Sequence, residues 1–165
     1  MLEQNHLELA KVRLQKSRRC FLTAINDARY GDCESANNRA YYSMYHAIRA
    51  LLALDGLDFK KHSQTIGYFN KAYVNSGLIE ARFNKMVVEA SKSRNGSDYD
   101  DYYAATLEET EKHIGNAEKL LEAIRQFIAE RLKAENIQDN LDEYANGDAE
   151  PACGASEGNE NDLGT

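Results

Sequence analysis

The stretch YAATLEETEKHIGNAEKLLEAIRQFI, residues 103–128, decides the fold class of this chain. Its mostly apolar stripe advances in steps of four and three residues, at Tyr103, Leu107, Thr110, Ile114, Ala117, Leu121, Ile124 and Ile128. A repeat averaging about 3.5 residues keeps one face of a helix against its neighbours at a shallow crossing angle. The spacing therefore predicts the long last helix of an antiparallel bundle.

Four further segments upstream of this stretch have helical periodicity, and each ends at or shortly before a glycine. They cover residues 7–28, 32–55, 63–77 and 83–90. We expect Gly96 to break the chain, so that Ser97 or Asp98 caps the last helix. No segment combines strand-like alternation with a hairpin turn. The predicted fold is therefore all-α, an antiparallel up-and-down helical bundle of about four long helices plus a short one.

The charge of the chain is distributed unevenly along its 165 residues. The chain has 27 acidic and 20 basic residues, for a formal net charge of −7, but the last 31 residues hold nine of the acids and no base. We predict that residues 135–165 form a disordered acidic tail, because they have few large apolar side chains. Residues 1–134, the predicted bundle, then carry a formal charge of +2. Charge therefore does not exclude a nucleic-acid or nucleotide ligand.

Compartment and cofactor signals are weak. No apolar run approaches the roughly 20 residues that a membrane span requires, and the N-terminal residues lack the apolar core of a signal peptide. Cys20, Cys33 and Cys153 form no C-x-x-C pair, so neither a disulfide framework nor a zinc knuckle is indicated. We expect a cytoplasmic protein with no cofactor.

A polar line runs along the predicted second helix beside its apolar stripe. Arg39, Tyr42, His46 and Arg49 are spaced three, four and three residues apart, which places them on one face. This face either meets a ligand, is solvated, or contains a buried Tyr–His hydrogen bond that fixes packing. His62, just before a helix cap, either reaches the same cleft or helps to end the loop.

Several other charged residues are interpreted as surface groups. They are the first-helix cluster Lys11, Arg13, Lys16, Arg18 and Arg19, together with His6 and His113. For the cluster, contact with RNA phosphates is the alternative to a solvated face. Asp98, Asp100 and Asp101 are interpreted as acids that complement a helix dipole and pair with Arg94. We predict no metal site there, because the spacing matches no calcium-binding loop.

Residues 35–101 resemble an uncharacterised prokaryotic branch of the HEPN superfamily. The matching motifs are Arg39-Ala40-Tyr41-Tyr42, His46, Lys61-His62-Ser63 and Arg94-Asn95 with Asp98-Tyr99. The resemblance implies a helical bundle, usually homodimeric, whose cleft binds RNA or a nucleotide. Many members are ribonuclease toxins that are encoded beside a minimal nucleotidyltransferase, which neutralises them.

The active-site motif of the ribonuclease members is only half present. In those members an Arg is followed directly by a polar residue, and a His stands four to six residues after that polar residue. The Arg holds a phosphate and the His accepts the proton of a ribose 2′-OH. Arg94 and Asn95 match the first half, but Tyr99, Asp100 and Asp101 stand where the histidine is expected. A tyrosine, with an ordinary pKa of about 10, is a poor general base at pH 7.

Three functions follow from these patterns. The first is an RNA- or nucleotide-binding HEPN-like homodimer that works with a nucleotidyltransferase in a toxin–antitoxin or defence system. Its predicted ligand site comprises Arg39, Tyr42, His46, Arg94, Asn95, Asp98 and Tyr99. The second is a metal-independent endoribonuclease that uses Arg94 with His46 or His62. The third is a non-catalytic dimeric adaptor.

Overall fold

The computed structural model describes residues 2–99, 101–139 and 141, and of residues 97–99 it describes only the backbone. Its elements in chain order are α1 Gln4–Arg29, α2 Cys33–Leu54, α3 His62–Phe69, a π-helical turn Asn70–Val74, α4 Ala81–Tyr99 and α5 Leu107–Ala134. The described residues contain no strand. The predicted all-α bundle of four long helices and a short one is confirmed.

The first two helices form a hairpin because the chain turns sharply at Gly31. This glycine has a φ of +81°, a left-handed conformation that costs glycine little. Asp32 then caps α2, accepting a hydrogen bond from the Ser35 amide at 3.0 Å. Farther from the turn, the buried Ser17 hydroxyl donates to the Ser43 carbonyl at 2.7 Å. Small side chains therefore let α1 and α2 approach closely.

Helix α2 lies at the centre of the bundle and contacts α1, α3, α4 and α5. Its most buried large side chains are Tyr41, Met44, Ile48, Leu51 and Leu52. They belong to one core with Leu120, Ile124 and Ile128 of α5. Leu120 takes the fully buried position that the repeat assigned to Leu121, which is only half-buried. Among the described helices, none is both long and apolar enough to cross a membrane.

The predicted break at Gly96 is wrong. Helix α4 continues through Gly96 to Tyr99, and α5 begins only at Leu107, with the Thr106 side chain as its N-cap. Gly96 serves close packing instead, because a Cβ at this position would lie 3.1 Å from Cδ2 of Tyr103. Local sequence cannot distinguish a glycine that ends a helix from one that admits a ring. The residues just before Gly96 are therefore held on a helix.

Part of the predicted tail packs on the bundle. In this part the packed residues are Ile137, Asp139 and Leu141. The Asp139 carboxylate pairs with the Lys11 ammonium of α1, and Leu141 is 6% exposed. Residue 140 and residues 142–165 of the predicted tail lie outside the described residues. We therefore extend the packed unit to Leu141.

Three side chains predicted at the surface are buried, namely Lys11, Arg13 and His113. Each has a carboxylate beside it. Arg13 Nη2 lies 2.8 Å from Asp58 Oδ2, and His113 Nε2 lies 3.5 Å from Glu109 Oε1. The buried charges of Lys11 and Arg13 are tolerated because they are paired, whereas burial lowers the pKa of His113. The surface prediction failed for Lys11 and Arg13 because each pairs with a carboxylate far away in the sequence, that of Asp139 and that of Asp58. Lys11 also pairs with the nearby Glu8.

Candidate functional site

A polar cleft lies between α2 and the connection that leads from α2 into α3. Its volume is about 470 Å³. Its described lining consists of Tyr42, Tyr45, His46 and Arg49 from α2, Asp58, Phe59 and Lys60 from the connection, and His62 from α3. The α2 residues share one face because they are spaced three and four apart. The connection closes over that face as the chain reverses after α2.

His62 is fixed in the cleft by two tyrosines. Tyr41 Oη lies 3.0 Å from His62 Nδ1, and the Tyr45 ring stacks on the imidazole with centroids 4.0 Å apart. Burial lowers the pKa of His62, and the positive charges of Arg94 and Arg49 lower it further. The imidazole is therefore neutral at pH 7. In the tautomer whose Nδ1 donates to Tyr41, Nε2 can accept a proton.

His46 lies one turn along α2 from Tyr42 and is also neutral at pH 7. Its ring centroid is 6.1 Å from that of Tyr42 and 5.8 Å from that of Tyr45. Burial, followed by the charges of Lys16 and Arg49, lowers the pKa of His46 from 6.5 to about 4. The buried Nδ1 has no hydrogen-bond partner among the described residues. An imidazole with so low a pKa is a weak general base.

Arg94 reaches this region from α4. The centre of its guanidinium lies 5.2 Å from the Tyr42 ring centroid and 5.4 Å from that of Tyr41, within cation–π range. The adjacent Ser93 ties α4 to α2, because its hydroxyl accepts a hydrogen bond from Asn37 Nδ2 at 3.3 Å. Arg94 is thus placed against the tyrosines that hold or line the cleft.

Two arginines share one carboxylate at the other end of the cleft. Arg13 Nη2 lies 2.8 Å from Asp58 Oδ2, and Arg49 Nη2 donates to Asp58 Oδ1 at 3.0 Å. Arg13 Nη1 also donates to the carbonyl of Arg49 at 3.0 Å. Partial burial acts to raise the pKa of Asp58, but the hydrogen bond from Arg49 and the charge of Arg13 together lower it. Asp58 is therefore ionised at pH 7.

The structure brings some of the predicted site residues together. Tyr42, His46 and His62 line one cleft, and Arg94 lies against its Tyr42 wall. Two residues do not line that cleft. Arg39 is exposed and lies beside Cys20 of α1, and Asn95 is exposed on α4. The side chains of Asp98 and Tyr99 lie outside the described residues, as does Asp100.

Sequence reasoning left several lining residues out of the predicted ligand site. Arg49 belongs to the predicted polar line, and Tyr45 belongs to the aromatic run Tyr41–Tyr45 on the same helix, so helical spacing could have found both. Asp58 and Lys60 carried no such signal, because their position depends on how the chain turns after α2.

The described part of the chain lacks a ligand cluster of the kind that metal ions require. No group of three or more His, Cys, Asp or Glu side chains there is arranged to hold a metal ion. The chemistry that these residues offer is electrostatic binding of an anion, ring stacking, and proton transfer by an imidazole.

Known proteins are similar in sequence to more than half of this chain. The family model described as "HEPN domain" matches residues 10–127. A "UPF0332 protein" of Thermotoga maritima is 32% identical over 100 residues, which is 61% of this chain and 76% of that relative. A protein of Methanocaldococcus jannaschii named "Putative toxin MJ0605" is 34% identical over 94 residues, 57% of this chain and 69% of that relative. The family match spans every residue that lines the cleft.

Proposed function

The chain belongs to the HEPN domain family, and from that premise we propose that it binds RNA or a nucleotide in the cleft beside α2. We propose further that it works as a homodimer in a toxin–antitoxin or defence system, with a minimal nucleotidyltransferase as its neutralising partner. The name of the Methanocaldococcus jannaschii relative supports the toxin part of this proposal.

The observation that carries the proposal is the positive charge around two neutral histidines. In the described part of the chain, the cations at or beside the cleft are Arg13, Lys16, Arg49, Lys60 and Arg94. One carboxylate, that of Asp58, lines the described surface of the cleft. Such an excess of positive charge attracts a polyanion. The half-buried Tyr42 ring also offers a surface on which a base can stack.

Binding is better supported than cleavage. Of the two candidate bases, His46 has a pKa of about 4 and accepts a proton poorly at pH 7. The positions after Arg94 where the family's catalytic histidine is expected hold Tyr99, Asp100 and Asp101. The described part of the cleft therefore has groups suited to a phosphate, while the sequence after Arg94 lacks the histidine that usually activates a ribose hydroxyl.

A metal-independent endoribonuclease is the second candidate, and the placement of His62 favours it. Tyr41 and Tyr45 hold this imidazole rigidly, and the Arg94 charge is close enough to lower its pKa. In that reaction His62 Nε2 would take the proton of a 2′-OH, and the oxygen would attack phosphorus. The 5′-oxygen would leave with a proton from solvent, producing a 2′,3′-cyclic phosphate and a 5′-hydroxyl end.

Binding and cleavage are tested on the same samples, with labelled single-stranded RNA and with nucleotides in EDTA. We expect RNA affinity in the native protein, and we expect Arg94→Ala to lower it about 10- to 150-fold, since it removes a charge-assisted contact worth about 1.5–3 kcal/mol. The matched control is Arg82→Ala, which removes another α4 guanidinium that pairs with the exposed Glu80. This control is expected to bind RNA as the native protein does.

The outcomes separate the three functions. If the native protein cleaves RNA and His62→Gln does not, the protein is an endoribonuclease and the binding proposal is wrong. The kcat/KM of cleavage should then persist below pH 6.5 and fall at more acid pH, because it reports the free protein, in which the pKa of His62 lies below its ordinary value. Absence of any RNA or nucleotide binding, with Arg94→Ala equal to the native protein, would favour the dimeric adaptor.

A further inference from the structure

One acidic side chain stands out in the cleft because two guanidinium groups converge on it. Asp58 lies in the connection between α2 and α3, and its side chain is 53% exposed. The guanidinium groups come from rigid helices. The Arg13 side chain is 5% exposed and that of Arg49 is 25% exposed. The carboxylate thus lies on a loop, a type of element that is more mobile than a helix, and the two guanidinium groups lie on helices.

The arginines keep their positions by contacts that do not involve Asp58. Arg13 Nη1 donates to the Arg49 carbonyl at 3.0 Å, which locks the α1 guanidinium onto α2. The Arg49 guanidinium lies 5.8 Å from the Tyr45 ring centroid. A pair of guanidiniums held this way would bind any anion that fits between them, since Arg binds carboxylates and phosphates with the same forked geometry.

The charges at this point are not balanced by Asp58. Two guanidiniums share one carboxylate, and Lys60 lines the same cleft. Burial and the charge of Arg49 both lower the pKa of Arg13, which reflects the repulsion between the two cations. In addition, Arg49 Nε is buried and has no hydrogen-bond partner in the described structure. A phosphate brings more charge and more acceptor oxygens than a carboxylate, so it satisfies this pair better.

We propose that Arg13 and Arg49 form a phosphate subsite and that Asp58 is its built-in competitor. In the empty protein the Asp58 carboxylate occupies the subsite, and a phosphate group of the ligand binds by displacing it into solvent. The inference rests on the proposed function, because it assigns one phosphate-binding position within the same cleft. Displacement weakens binding of any single phosphate, so ligands that make further contacts in the cleft are favoured.

The test compares Asp58→Asn with the native protein, using inorganic phosphate and pyrophosphate as probes. In phosphate-free buffer Asp58→Asn should melt at a lower temperature, because the buried Arg13 loses its counter-charge. Phosphate should restore the melting temperature, and calorimetry should show phosphate binding about tenfold or more tighter than in the native protein. Adding Arg49→Ala to Asp58→Asn should remove the gain.

Asp55→Asn is the matched control. Asp55 precedes Asp58 by three residues and also pairs with an arginine, Arg131, at 2.8 Å, but it does not line the cleft. This variant should lose stability without gaining affinity for phosphate. The proposal is overturned if Asp58→Asn binds phosphate no more tightly than the native protein, or if Asp55→Asn gains as much. It is also overturned if Asp58→Asn fails to fold even in phosphate, since phosphate then does not replace the carboxylate.

The probes keep this inference separable from the proposed function. If the native protein binds RNA and Asp58→Asn changes neither the phosphate nor the RNA affinity, Asp58 does not compete with phosphate. The proposed function is then retained. A tighter phosphate site in Asp58→Asn, with no RNA or nucleotide binding by either protein, would refute the proposed function and retain the subsite.

Discussion

The low pKa of His46 makes the stability of the protein depend on pH in a defined direction. Above pH 6.5 the imidazole is neutral in both the folded and the unfolded chain, so its titration does not reduce the free energy of unfolding. As pH falls below 6.5 the unfolded chain takes up a proton that the folded chain does not, and the free energy of unfolding decreases. A pKa lowered from 6.5 to about 4 corresponds to a loss on the order of 3 kcal/mol, complete near pH 4.

Urea denaturation at a series of pH values between 7.5 and 4.5 measures this loss. The variant is His46→Gln, which removes the titrating group and keeps a polar side chain. The pKa values of His62 and His113 are also lowered, chiefly by burial, so acid should weaken the variant too, but less than the native protein. The difference between the two curves isolates His46.

Two further measurements bear on the cause. Lys16 is exposed on α1, and its charge helps to lower the pKa of His46, so Lys16→Gln should raise that pKa without unfolding the protein. Histidine ring resonances in NMR report the pKa directly. A His46 pKa near 6.5, or parallel pH curves for the native protein and His46→Gln, would refute the reasoning from burial and nearby charge.

The remaining predictions concern assembly and the end of the packed unit. Light scattering at micromolar concentration should report twice 18.6 kDa for the homodimer, and a strict monomer would contradict it. Truncation after Leu141 should leave the melting temperature within about two degrees, because the deleted sequence has few large apolar side chains. Truncation after Ala134 should lower it by several degrees, since it deletes the buried Leu141 and the Asp139 carboxylate that pairs with Lys11. Equal melting temperatures for the two truncations would show that residues 135–141 add nothing to stability.

The fold could be predicted because its signals are local. The stripe of α5 and the cap at Asp32 depend on neighbours within a few residues, which the sequence displays directly. Gly96 shows the limit of this reasoning. A helix-breaking role and a close-packing role require the same residue, and the choice is made by the Tyr103 ring that approaches from outside the helix.

The site was predictable only as far as one helix carries it. Tyr42, His46 and Arg49 share a face of α2 in any helix of this sequence. The burial of Arg13 and the position of Asp58 depend on α1 and the α2–α3 connection meeting in space, and no local pattern encodes that meeting. The sequence therefore indicated which face was polar but not which charges on it are paired.

The cations that we propose to bind the ligand also lower the pKa values of the two histidines of the cleft. In the empty protein, burial and the charges of Arg13, Arg49 and Lys16 hold His46 neutral, and burial with Arg94 and Arg49 does the same for His62. A bound phosphate brings negative charge to these groups and raises both pKa values towards neutrality. Linkage then requires that protonation tighten phosphate binding by the same factor. Ligand binding should therefore be accompanied by proton uptake, and both imidazoles should accept a proton more readily near neutral pH when the cleft is occupied.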